Sequence, residues 1–215
     1  MTASAAATAP ADAARRGADH PIHPLFTQRW SPRAYTGETV SDGVLQSVFE
    51  AARWAPSARN LQPWRFIVAR PGEAAWEDFL AILFERNRQW ARRASALVAV
   101  VSETLAPRDG VPAPSESHAF DTGAAWANFA HQALLLGWHT RAMGGIDRAA
   151  ARTTLALPED FAVHVVVALG RQGALDDLPP EFHAQENPSS RRPLGDTVFA
   201  GRFGVPAFVP EKDAR

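Results

Sequence analysis

The run Ala96-Leu-Val-Ala-Val-Val101 constrains the fold more than any other stretch of the chain. Six apolar residues in succession, three of them valine, read as a strand, and the lack of polar alternation marks a strand buried on both faces. Val163 to Leu169 gives a second, clearer strand. A third, Trp64 to Ala69, is bounded by Pro63 and Pro71, and a fourth, Trp138 to Met143, ends at Gly144-Gly145. Helical patterns lie between them. Ser41 can cap a helix on which Val44, Leu45, Val48, Phe49 and Ala52 recur at helical spacing, and Pro56 ends it. Trp76 to Phe84 marks another, His118 to Gly137 a long one with a stripe of small residues, and Asp147 caps a short one through Leu155. A further short helix runs through Leu25 and Phe26 toward Arg29. Strands alternating with helices predict an α/β or α+β layered domain.

At 215 residues the chain suits one domain. The expected division is a disordered N-terminal tail over 1–20 and a single domain over 21–215, whose segment 171–195, rich in Pro, Asp, Ser and Arg, forms an extended arm. Three prolines and Gly110 predict a loop over 105–116. A net charge of −1 gives no basic face for nucleic acid. No window approaches the ~20 apolar residues of a membrane span. The absence of cysteine removes disulfides, thiolate metal sites and a thiol nucleophile, and suits a reducing cytoplasm. Lys212 is the only lysine, so an anion site here must be built from guanidinium groups.

The motifs of zinc peptidases, serine hydrolases and P-loop nucleotide binders are missing. His20 and His23 stand in or beside the tail, and His131 and His139 are too far apart to share a helical turn. His131 reads as an interior or interface residue, and His118 with Asp121 as an exposed first helical turn. Three segments can carry chemistry. In Arg29-Trp30-Ser31-Pro32-Arg33 the proline enforces an extended backbone, and residues 29, 31 and 33 can then converge on an anion or form a solvated basic turn. Ala55-Pro56-Ser57-Ala58-Arg59-Asn60-Leu61-Gln62-Pro63-Trp64 is a rigid polar loop able to face a heterocycle, or a plain helix-to-strand connection with Trp64 in the core. Gly144-Gly145, between strand and helix, permits close approach of a planar ligand.

In combination, RWSPRAY, WAPSARNLQPWRFIV, MGG and the late SSRRPLGDTVFAGRFG resemble the FMN-dependent nitroreductase family from about residue 22 onward. The resemblance implies an α+β fold with a mixed β-sheet sandwiched by helices, built as an intertwined homodimer with two FMN sites at the interface. It implies an NAD(P)H-dependent oxidoreductase that reduces nitroaromatics, quinones or other electron-poor small molecules by a ping-pong mechanism. Specialised flavin-fragmenting, dehalogenating or dehydrogenating relatives share the fold, and a flavin-binding protein without turnover is a further reading.

Residue by residue, Arg29 and Ser31 match positions that hold the FMN phosphate and ribityl chain, and Arg33 a basic residue at the pyrimidine side of the flavin, the catalytic candidate. Pro56, Ser57 and Ala58 match the loop along the isoalloxazine, Asn60 and Gln62 its polar positions, and Gly144 and Gly145 the segment backing the ring. The pair Arg191-Arg192 spans a late basic position that returns to the phosphate, with Arg192 favoured. Trp30 departs from the commoner arginine at its place. No metal is implied. The small-residue helix and the arm from Gly173 onward would both serve the dimer.

Overall fold

The structure, a computed structural model, describes residues 16–208. Its element order is α1 (Pro24–Gln28), α2 (Asp42–Arg53), β1 (Trp64–Ala69), α3 (Ala75–Ile82), α4 (Glu85–Ala91), β2 (Ala96–Glu103), β3 (Leu105–Arg108), β4 (Val111–Pro114), α5 (His118–Leu135), β5 (His139–Met143), α6 (Arg148–Thr154) and β6 (Phe161–Gly170). The main sheet runs β1-β2-β6-β5. The expected α+β sandwich forms, but all three strand pairings in this sheet are antiparallel, where a mixed sheet was implied.

The apolar run of β2 explains the layering. Leu97, Ala99 and Val101 point into one core with Trp76, Phe79 and Leu80 of α3 and Trp90 of α4. Ala96, Val98 and Val100 point into a second core with Leu45 and Val48 of α2 and Ala125, Phe129 and Ala133 of α5. Period-two alternation thus feeds two apolar layers from one uninterrupted sequence. The small residues of α5 let it lie close to α2, where Asn128 donates to the Ala51 carbonyl at 3.2 Å and Gln132 to Ser47 Oγ at 3.1 Å.

Local signals place the helix starts. Ser41 Oγ accepts from the Val44 N–H, and Asp147 Oδ1 accepts from those of Ala149 and Ala150. The helix expected over Trp76 to Phe84 ends at Ile82 and a new one begins at Glu85. The chain leaves the helix there because Leu83 bridges Ile146 and the Phe84 N–H bonds the Gly145 carbonyl at 3.1 Å. The loop expected over 105–116 contains a hairpin, β3 with β4, turned by Asp109 and Gly110, both at positive φ. Pro107 faces Pro112 across it, outside the main sheet, where their missing N–H groups cost little.

The arm departs from expectation in its first part. Leu178 and Phe182 are buried in the α3/α4 core of the same chain, so residues 174–186 pack at home in tight helical turns. Of the tail expected over 1–20, residues 1–15 lie outside the described residues, and Arg16 is half-buried.

Candidate functional site

Segment 29–36 crosses the end of the sheet and is held there backbone to backbone. Thr36 N–H bonds the Arg171 carbonyl at 3.1 Å, Gly173 N–H bonds the Ala34 carbonyl at 2.9 Å, and Tyr35 bridges Gln172. The buried Tyr35 ring lies against Gly170, where a Cβ would stand 2.6 Å from ring Cδ1. Burial raises its phenol far above the ordinary value, so it stays neutral. Arg141 of β5 reaches beneath the segment and donates to the Ser31 carbonyl, its guanidinium 5.6 Å from the Trp90 ring centroid.

The result is a cavity of about 270 Å³ walled by Arg16, Arg29, Trp30, Ser31, Arg33, Arg141, Gln185, Asn187, Pro188, Ser189 and Arg191. Five arginines line it, and among the described residues no carboxylate does. Burial, and then the charge of Arg191, hold the Arg29 guanidinium below its ordinary pKa; burial, then Arg33, do the same to Arg141. Arginine remains charged through such shifts, so the cavity is a concentrated positive field. Arg29 Nη1 donates to Ser31 Oγ at 3.2 Å, leaving the hydroxyl hydrogen free to reach an anion. A second cavity of about 300 Å³ shares Arg29 and Ser31 and continues over Trp126, Ala127, Ala130, His131 and Ala142. Burial first, and Arg29 second, lower the His131 pKa, favouring neutral imidazole.

Arg33 is committed elsewhere in part. Its guanidinium pairs with Glu186 at 3.3 Å, and Glu186 Oε1 accepts from the backbone N–H groups of Arg33 at 2.5 Å and Ala34 at 2.9 Å. The side chains are 13% and 5% exposed, so this carboxylate offsets much of the Arg33 charge and pins the C-terminal segment beside the cavity. That anchorage brings Arg191 to the wall. Arg192, favoured from the sequence, is exposed and not among the lining residues; its neighbour Arg191 is turned by bonds to the Ser189 and Ser190 carbonyls.

The loop 56–62 lies elsewhere. It is a strained turn in which Arg59, Asn60 and Gln62 all take positive φ, near 50°. Ser57 closes it, its Oγ accepting from the Gln62 N–H at 3.0 Å, and Asp121 anchors it by accepting from the Ala58 N–H at 3.1 Å. Asp121, expected on an exposed turn, is 4% exposed for this reason. Pro56, Ala58, Asn60 and Gln62 are left exposed. Asp121 lies in the first turn of α5, whereas the second cavity meets that helix at Trp126 to His131. The five to ten residues of helix from Asp121 to Trp126 and His131 span about 7.5 to 15 Å. None of residues 56–62 lines either cavity within one chain. Gly145 packs on α4, where Asn87 Nδ2 donates to its carbonyl at 3.1 Å; Gly144 is exposed, with open space where a Cβ would stand.

Arg16, Arg141 and Glu186 carry no local sequence signal and, like the anchoring role of Asp121, become visible only in the fold. So does a polar cluster at the far end of β2. A bulge pairs Val100 with Val165 and Val101 with Val163, leaving His164 unpaired, and its Nε2 lies 2.7 Å from Ser102 Oγ. His118 Nδ1 stands 2.7 Å from the same oxygen, which places His118 inside a hydrogen-bonded trio instead of an exposed turn. One hydroxyl can donate to only one of the rings, so the other must donate to it.

A sequence profile of the nitroreductase family matches residues 26–171. The "NADH dehydrogenase" of Thermus thermophilus is 30% identical over 199 residues, 80% of this chain and 92% of its own length. An Archaeoglobus fulgidus protein provisionally named an NADH dehydrogenase/NAD(P)H nitroreductase is 33% identical over 150 residues, 68% of this chain and 82% of its own. Among solved structures, an oxidoreductase containing FMN is 42% identical with a TM-score of 0.85, over 88% of this chain and 96% of its own. With the profile spanning most of the chain, and an FMN-containing oxidoreductase superposing on nearly all of it, this chain belongs to the nitroreductase family.

Proposed function

We propose that the protein is an FMN-dependent oxidoreductase drawing electrons from NAD(P)H, and that the cofactor's phosphate sits among Arg29, Ser31 and Arg191. The observation that carries this is a wall of five arginines of which, among the described residues, only Arg33 has an acidic partner, an arrangement that suits a phosphate monoester. A relative at 42% identity contains FMN, and a Desulfovibrio desulfuricans relative, 29% identical with a TM-score of 0.65 over 86% of this chain, was solved with FMN. When bound, the flavin would supply the two-electron chemistry, taking hydride from NAD(P)H and giving it to an electron-poor acceptor such as a nitroaromatic or quinone.

The chain's own groups orient and tune. Arg29 and Arg191 bind the anion; Arg141 fixes the Ser31 carbonyl and so aims the Ser31 hydroxyl. Arg33 and Glu186 form a nearly neutral pair at the edge of the cavity, so Arg33 supplies an oriented donor more than a bare charge. Asn60 and Gln62, with Pro56, Ser57 and Ala58, offer an exposed rigid edge to the ring of a cofactor held by a second copy of the chain. That this loop lines neither cavity of its own chain supports the homodimeric site. Ping-pong turnover in a cytoplasmic dimer completes the reading.

The test is direct. Purified protein should be yellow, release FMN on denaturation, and oxidise NADH or NADPH anaerobically with menadione or nitrofurazone as acceptor. Parallel double-reciprocal lines should mark the ping-pong order. Flavin-loaded protein with no turnover across such a panel would favour a carrier.

A further inference from the structure

We propose that the N-terminal segment completes the anion site: Arg16 is a third phosphate-binding arginine and makes the protein select phosphorylated flavin over riboflavin. This rests on the FMN reading above and deepens it. Arg16 precedes the first helix by a stretch of exposed residues, yet its guanidinium lies half-buried in the cavity wall. It is oriented there, because Nη1 donates to the Arg29 carbonyl at 2.8 Å across thirteen residues of chain.

The placement is electrostatically costly without a ligand. Burial, then Arg191, then Arg29, all disfavour the charged form of Arg16, and Arg191 does the same to Arg29. Three guanidinium groups thus crowd together, and Arg16 has no ion-pair partner among the described residues. A single hydrogen bond to a neutral carbonyl does not account for an arginine drawn toward two others. A dianion between them does, since each can then make a charge-assisted bond to a different oxygen. The remaining donors of Arg16 have no hydrogen-bond partner among the described residues.

The experiment titrates flavin-stripped protein with FMN and with riboflavin, read by quenching of flavin fluorescence. Arg16→Ala should weaken FMN about tenfold and leave riboflavin unchanged, and removal of residues 1–20 should reproduce this. The difference from wild type should shrink between about 0.05 M and about 0.5 M salt, because a half-exposed charge is screened. Unchanged FMN affinity overturns the proposal. Equal weakening of both flavins also overturns it, since Arg16 would then act only as a prop for Arg29. Should wild type bind neither flavin, the FMN reading itself fails. Inorganic phosphate then decides the anion site: protection of wild type against thermal unfolding, lost in Arg16→Ala, sustains it, and equal protection of both refutes it.

Discussion

Two arginines two positions from a shared serine serve different ends, and the difference is one carboxylate. Arg29 has no acidic partner among the described residues, whereas Arg33 is tied to Glu186. Arg29→Ala should therefore weaken FMN binding by about 10- to 150-fold. Arg191→Ala should follow at the lower end because it is more exposed, and Arg192→Ala should change little. Fluorescence titration of the three variants checks the order. Arg33 calls for a different measurement. If the pair abuts the pyrimidine side of the flavin, negative charge formed there on reduction is stabilised by Arg33 and opposed by Glu186. Arg33→Gln should then lower the two-electron potential by about 30 mV and Glu186→Gln raise it by a similar amount. Potentiometry on FMN-saturated protein that finds both unchanged would leave the pair a structural clasp.

At the level of elements, the edge strand β5 carries an acid-sensitive point. His139 lies beside Arg171; burial first, and that charge second, lower its pKa from 6.5 to about 4. The folded state thus holds the ring neutral while the unfolded chain takes up a proton below 6.5. Stability present above pH 6.5 is lost as pH falls through about 4, by at most about 3.4 kcal/mol. Denaturant melts of His139→Gln should show a flatter acid limb; an identical pH profile would remove the histidine from the account. Elements were legible in the sequence where one local rule sufficed. Ser41, Asp147 and the runs of β2 and β6 read correctly because a cap or an apolar stretch acts without distant help. The break at Leu83 was hidden because its cause is a bridge to Ile146, sixty residues on. The hairpin was hidden because its prolines outvoted Asp109-Gly110, a turn signal in plain sight. In the site, Arg29, Ser31 and Arg33 were legible as a motif, while Arg16, Arg141 and Glu186 arrive through tertiary contacts that no spacing encodes.

For the whole molecule, the separation of the strained loop from the arginine cavity is the decisive geometry, since none of residues 56–62 lines that cavity. The first turn of α5 holds residues 56–62 through Asp121, and its middle lines the second cavity, beside Arg29 and Ser31, through Ala130 and His131. Exposed Phe120 and Leu135, 84% and 61% accessible, lie at the two ends of the same helix and suit burial against a second copy. If each flavin takes its phosphate grip from one chain and its ring edge from the other, defects in the two halves must complement. Arg29→Ala and a Ser57→Ala/Asn60→Ala double variant should each bind FMN poorly alone. Unfolded together and refolded, or co-expressed with different tags, roughly half of the dimers would be mixed, and each mixed dimer would contain one site built from two intact halves. Flavin should then return to about one FMN per four chains, all of it in the doubly tagged fraction. A site contained within one chain restores nothing in that fraction, because every chain carries one damaged half.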